Sequence, residues 1–136
     1  MYTDEKSQIS QDQQLFVYNA LLKLEKIPTI NNIFIISHNL NWQDKSNPKN
    51  VIHNLEKKLK RFPKQTKYII SSNHTTTTDE ALIREELSVK HITDEKTNTH
   101  YLSSFVRNWE NDSFLEFTVA TDNTVSINYK IRNENF

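Results

Sequence analysis

The chain has 136 residues, with seventeen basic side chains balanced by seventeen acidic ones, and it contains neither glycine nor cysteine. Balanced charge gives no global field to gather nucleic acid or an anionic membrane, and without cysteine there are no disulfides, no thiol catalysis and no cysteine-ligated zinc. The lack of glycine excludes phosphate-cradling loops, dinucleotide fingerprints and the nucleophile elbow of serine hydrolases, each of which needs glycine where the backbone turns sharply or approaches a ligand closely.

The length fits one domain able to bury about two-thirds of its unfolded surface. Left-handed turn positions must fall to asparagine and aspartate, the next most tolerant residues. Abundant Asn, Lys and Ile also suit an AT-rich genome. No apolar run approaches the length of a membrane span, and Met1 to Gln14 is polar, unlike a signal peptide. The expectation is a cytoplasmic protein with a flexible segment over residues 1–8 and a single domain over 9–136.

Ser10 and Gln13 have capping-box spacing, and Leu15, Phe16, Tyr18, Ala20, Leu21, Leu22 and Leu24 form a broad apolar stripe. A helix is predicted from about Gln11 to Lys26, packed on a sheet face and ended by Ile27 and Pro28. Ile33 to Ile36 is an unbroken apolar run, as in a strand covered on both faces. The connection from His38 to Asn47 is longer than usual between a strand and its helix, and long loops often carry function. It holds Trp42, which either folds under the loop onto the core, the usual fate of a large aromatic, or stands out as an anchor for a partner.

Val51, Ile52, Leu55, Leu59 and Phe62 recur at helical spacing, with lysines and Arg61 on the other side; Ser46 or Asn47 is the expected cap and Pro48 the first helical residue. Tyr68 to Ile70 reads as a second buried strand. Two such strands joined by a helix run parallel if they share a sheet. Thr77 and Glu80 suggest another capped helix, and Val89 to Ile92, leading to Asp94, a short third strand. Tyr101, Leu102, Phe105, Val106 and Trp109 have the spacing of an amphipathic helix. Alternation in Leu115 to Val119 and Val125 to Ile131 around Asp122 and Asn123 predicts a β-hairpin. The expected fold class is mixed α/β (or α+β): a parallel strand-helix-strand unit at 33–72, flanking amphipathic helices, and a C-terminal antiparallel hairpin at 114–132 that extends or edges the sheet.

Parallel neighbours would bring Ser37, His38 and Asn39 to the same carboxyl edge as Ser72, Asn73 and His74, where open parallel sheets bind ligands. With His91 and Asp94 joining from the third strand, the pair His38 and His74 could serve a small hydrolase or nuclease as general acid and base, or hold a metal. Polar residues also gather at strand ends merely to satisfy loose backbone groups, which is the more frequent case. Lys57, Lys58, Lys60, Arg61, Lys64 and Lys67 form one basic run, read first as a solvated helix face and second as an RNA or DNA contact. Exclusion of cofactor motifs favours a protein-binding module of the inhibitor, antitoxin or immunity type, whose partner is for instance a toxin or a nuclease. Its partner surface would draw on Trp42, Asp44, Lys57, Lys58, Arg61, Asp79 and Glu80. No cofactor, resident metal or membrane is implied, nucleic acid is the lesser partner, and a homodimer through the hairpin edge is a further expectation.

Overall fold

A computed structural model describes residues 1, 8–38, 40–43, 45–74, 90–106 and 113–131. Its elements are α1 (Gln11–Glu25), β1 (Asn32–His38), α2 (Ile52–Leu59), β2 (Thr66–His74), β3 (Lys90–Asp94), β4 (Thr99–Val106), β5 (Ser113–Val119) and β6 (Val125–Ile131). The first four strands form one mixed sheet in the order β1-β2-β4-β3, and β5 and β6 form a separate antiparallel hairpin. The predicted helix near Thr77 and Glu80, and with it Asp79, lies outside the described residues, as do Asp44 and Trp109.

β1 and β2 are parallel neighbours, with Phe34 beside Tyr68 and Ile36 beside Ile70. α2 crosses between them, and Val51, Ile52, Leu55, Leu59 and Phe62 are all buried, as their spacing requires. The helix starts later than its sequence signals suggest. Asn47 Oδ1 accepts from Lys49 N, and Asn50 Oδ1 accepts from Ile52 N at 3.0 Å, so Pro48 belongs to a preceding turn and Asn50 serves the first turn of α2. In α1, Ser10 Oγ accepts from Gln13 N at 3.2 Å, the predicted cap.

The helical expectation around residue 101 is corrected: this segment is β4, parallel to β2 and antiparallel to β3. The reason is two-sided burial. Tyr101 joins the core under the helices with Leu21, Ile33, Leu55, Trp42 and Ile69, while its neighbour Leu102 joins Tyr68 and Ile70 on the opposite face. Paired apolar residues are what a central strand covered on both sides needs, and over six residues such pairs imitate a helical stripe.

The hairpin also differs from expectation. It adds no strand to the main sheet; Leu115, Phe117, Val125 and Ile127 pack its inner side against Tyr68, Ile70 and Leu102. Phe34 stacks on Tyr68 at 4.7 Å, and Phe117 meets Phe34 edge-on. The chain is therefore layered: helices, four-stranded sheet, hairpin. Without glycine, the positive-φ positions among the described residues are both asparagines, Asn98 (φ 55°) before β4 and Asn123 (φ 69°) in the hairpin turn. At the outer edge of β1, the Met1 ammonium donates to Ile36 O and the Met1 carbonyl accepts from His38 N. Among the described residues no helix is long and apolar enough to cross a membrane.

Candidate functional site

The carboxyl edge of β1 and β2 exists as expected, with His38 beside Ser72 and His74 two positions further along β2. Asp94 is not there. It pairs with Thr99, which pairs with Lys67 near the start of β2, at the opposite end of the parallel strands. The set His38, His74 and Asp94 is thus not assembled, because β3 runs antiparallel and carries its last residue away from that edge. Among the described residues no three of His, Cys, Asp and Glu come close enough to hold a metal.

The serines at this edge have structural duties. Ser37 Oγ donates to Ile70 O at 3.0 Å, and Ser71 Oγ accepts from Leu40 N at 2.8 Å. The loop after β1 folds inward over them. Leu40 is fully buried, Asn50 Nδ2 donates to Asn41 O, and Trp42 is only 4 % exposed, with its indole N–H donating to Leu102 O at 3.1 Å. Trp42 as an exposed anchor is therefore corrected: its large apolar area and its one polar atom are both satisfied inside the core.

A groove of about 840 Å³ opens on the helix side of the sheet, where α2 stops and β4 and β3 continue. Trp42, Tyr101 and Leu59 line it, with Lys45, Lys60, Lys67 and Lys96 set against Glu56 and Asp94. Tyr101 Oη donates to Glu56 Oε1 at 2.8 Å, Lys45 pairs with the same oxygen, and the Lys45 ammonium lies 5.3 Å from the Tyr101 ring centre. Burial, then the bond to Glu56, pushes the Tyr101 phenol far above its ordinary value.

Lys67 departs furthest from the basic run to which its sequence position assigns it. It is 2 % exposed, and among the described residues its ammonium has one partner, Phe62 O at 2.7 Å, with no carboxylate. Burial lowers its pKa from the ordinary 10.5. Between the lowered value and 10.5 the unfolded chain holds more protons than the folded one, so this group makes stability rise with pH across that window. The stability difference between the wild type and Lys67→Met, measured by denaturant titration at several pH values, should move in favour of the wild type as pH climbs toward 10.5. A pH-independent difference would place the ammonium in solvent.

The other basic residues sit where the sequence puts them. Lys57 and Arg61 are exposed and Lys58 half-buried on the outer side of α2. Lys58 lies 5.0 Å over the Tyr18 ring, and Arg61 reaches Glu25 at 3.4 Å. These contacts align the basic face of α2 with one stripe of α1, since Leu15, Tyr18, Leu22 and Glu25 fall at spacings of three and four. The breadth of the α1 pattern suggested full packing on the sheet. Instead only Leu21 is buried, and Leu15 (60 % exposed), Phe16 (75 %) and Leu22 (46 %) face outward.

One arrangement escaped sequence reasoning altogether. His91 and His100, on adjacent strands, approach to 3.0 Å between Nε2 and Nδ1, and the Tyr68 ring stacks on His100 at 4.8 Å. Burial, and secondarily His91, lowers the pKa of His100. The signal was available in the strand-turn-strand spacing of 90–106, and a helix assigned to its second half concealed it. No known protein family, curated protein or solved structure matches this chain.

Proposed function

We propose that this chain is a protein-binding module that seats an acidic partner surface on the joined faces of α1 and α2. The observation that carries the reading is the exposure of Leu15, Phe16 and Leu22 on α1, a helix whose Tyr18 and Glu25 are met by Lys58 and Arg61 of α2. Surface apolar residues scattered singly need no explanation, but a cluster bordered by like charges has the composition of an interface centre with a charged rim. Lys58 already covers the Tyr18 ring, which removes the natural stacking platform for a base.

An inhibitor or immunity-type role, in which the module covers a partner's active site, needs only such a surface. The sign of the charge narrows the partner. A nuclease cleft built for phosphates is itself cationic and would be repelled, so an acidic-rimmed toxin or enzyme is the better fit. The test is a photo-crosslinking residue at position 16, followed by expression of the captured protein and titration against the purified chain. A saturable complex that weakens with salt supports the reading. Self-crosslinks alone, or equal capture by vesicles of anionic lipid, overturn it.

A second reading has its own support in the groove: a small organic anion whose aromatic body lies on Trp42 and Tyr101 and whose charge answers Lys67. Four lysines against two carboxylates, with one buried ammonium lacking a counter-ion among the described residues, favour an anion there. Naphthalene sulfonate is a suitable probe, followed through tryptophan fluorescence. Lys67→Met should weaken its binding while the fold persists by circular dichroism, and undiminished binding by this variant rejects the reading.

A further inference from the structure

We propose that His91 and His100 form a cross-strand site for a divalent transition metal that prefers ligands at right angles, namely Cu(II) or Ni(II). Both histidines lie on the hairpin-facing side of the sheet near its β3 edge, away from the α1–α2 surface and on the opposite face from the groove. The register pairs Thr93 with His100 and His91 with Leu102, so the two imidazoles are diagonal neighbours across the antiparallel pair. Their Nε2 and Nδ1 atoms stand 3.0 Å apart, and Thr93 Oγ1 lies 3.2 Å from His100 Nδ1 and 3.5 Å from His91 Nε2. Two ring nitrogens and one hydroxyl oxygen, from two strands, thus lie within 3.5 Å of one another.

The distance discriminates between metals. Two metal–nitrogen bonds of about 2.1 Å opened by about 90° hold their nitrogens about 3.0 Å apart, whereas a tetrahedral angle would spread them to about 3.4 Å. The observed separation is that of a hydrogen-bonded pair, and opening it to the right angle of square-planar or octahedral coordination takes less movement than opening it to the tetrahedral angle zinc prefers. Imidazole is a good ligand for copper and nickel, and the remaining positions are open to water on the exposed side of His91. Stacking of Tyr68 on His100 holds one ring in place, which is the role outer-shell contacts play at metal sites. In the metal-free pair the two nitrogens can share one proton as a hydrogen bond. Binding displaces that proton, because both ring nitrogens must present lone pairs to the ion.

Isothermal titration of the whole chain with copper sulfate and with nickel chloride, in a buffer that does not coordinate metals, tests the site. One ion per chain is expected, with Cu(II) resonance spectra showing two imidazole nitrogens. His91→Ala and His100→Ala should each weaken binding by at least the roughly tenfold that loss of a mere outer-shell partner costs. His38→Ala, His53→Ala and His74→Ala should leave it unchanged. Circular dichroism of each variant separates lost binding from lost fold. No binding by the wild type, or binding retained in a folded His91→Ala chain, overturns the assignment.

Discussion

Replacing Trp42 with alanine is expected to cost about 3–5 kcal/mol of folding stability, the range for deleting a buried large aromatic side chain. The residue is 4 % exposed and its ring centre lies 5.6 Å from that of Tyr101. Truncation would leave a cavity among side chains already held by strands and helix, and it would strip Leu102 O of the indole N–H that reaches it at 3.1 Å. Domains of this size are stable by only about 5–15 kcal/mol, so a substantial part of the total would go. Trp42→Phe separates the two effects: it retains most of the packing and loses the hydrogen bond, for a smaller penalty of about 1–3 kcal/mol. Urea denaturation followed by circular dichroism measures both. A loss below about 1 kcal/mol for the alanine variant would contradict the burial and restore Trp42 to the surface.

The burial of Trp42 shows why some of the fold was legible and some was not. β1, α2 and β2 could be read because each is fixed by its own short pattern: Ile33 to Ile36 as a covered strand, Val51 to Phe62 as one helical face, Tyr68 to Ile70 as its parallel neighbour. Their adjacency then followed from the connection. The hairpin turn was equally local, since a chain without glycine must use a residue such as Asn123 where φ is positive, whereas the turn at Asn98 was hidden by the helical pattern that follows it. β4 was not legible, because its identity depends on layers contributed by distant segments. Tyr101 faces the helices and Leu102 faces the hairpin, and neither partner is near in sequence. A helical reading of β4 hides three features with it: the parallel pairing of β2 and β4, the approach of His91 to His100, and the groove wall formed by Thr99 and Tyr101.

Lys67 illustrates the opposite limit. Its place at the end of a basic run suggests solvent, yet strand alternation turns it, with Ile69 and Ser71, toward the helix side of the sheet. Charge identity alone could not reveal this; the strand's side-chain period decides which lysine goes inside. The same reasoning separates the basic run into two populations. Lys57, Lys58 and Arg61 belong to the outer face of α2 and are available to a partner, whereas Lys67 belongs to the groove.

Phe16→Asp is expected to weaken partner binding by roughly thirtyfold or more while leaving the fold almost untouched. Because Phe16 is 75 % exposed, its removal deletes little buried area, and surface substitutions of this kind usually change stability by no more than about 0.5 kcal/mol. At an interface the same side chain would be an aromatic anchor, whose loss costs about 2 kcal/mol or more, a roughly thirtyfold fall in affinity. The introduced carboxylate adds repulsion toward an acidic partner. Lys58→Glu should act differently: it removes the cation from the Tyr18 ring, worth about 0.5–1 kcal/mol at an exposed site, and slows association in a salt-dependent manner. A nucleic-acid ligand would reverse this ranking, with charge removal at Lys57, Lys58 and Arg61 dominating and the apolar residue mattering little. Surface plasmon resonance at two salt concentrations, run on both variants against the crosslinked partner, distinguishes these outcomes. A partner that holds Phe16→Asp as tightly as the wild type does not sit on α1, and the proposed interface would then be wrong.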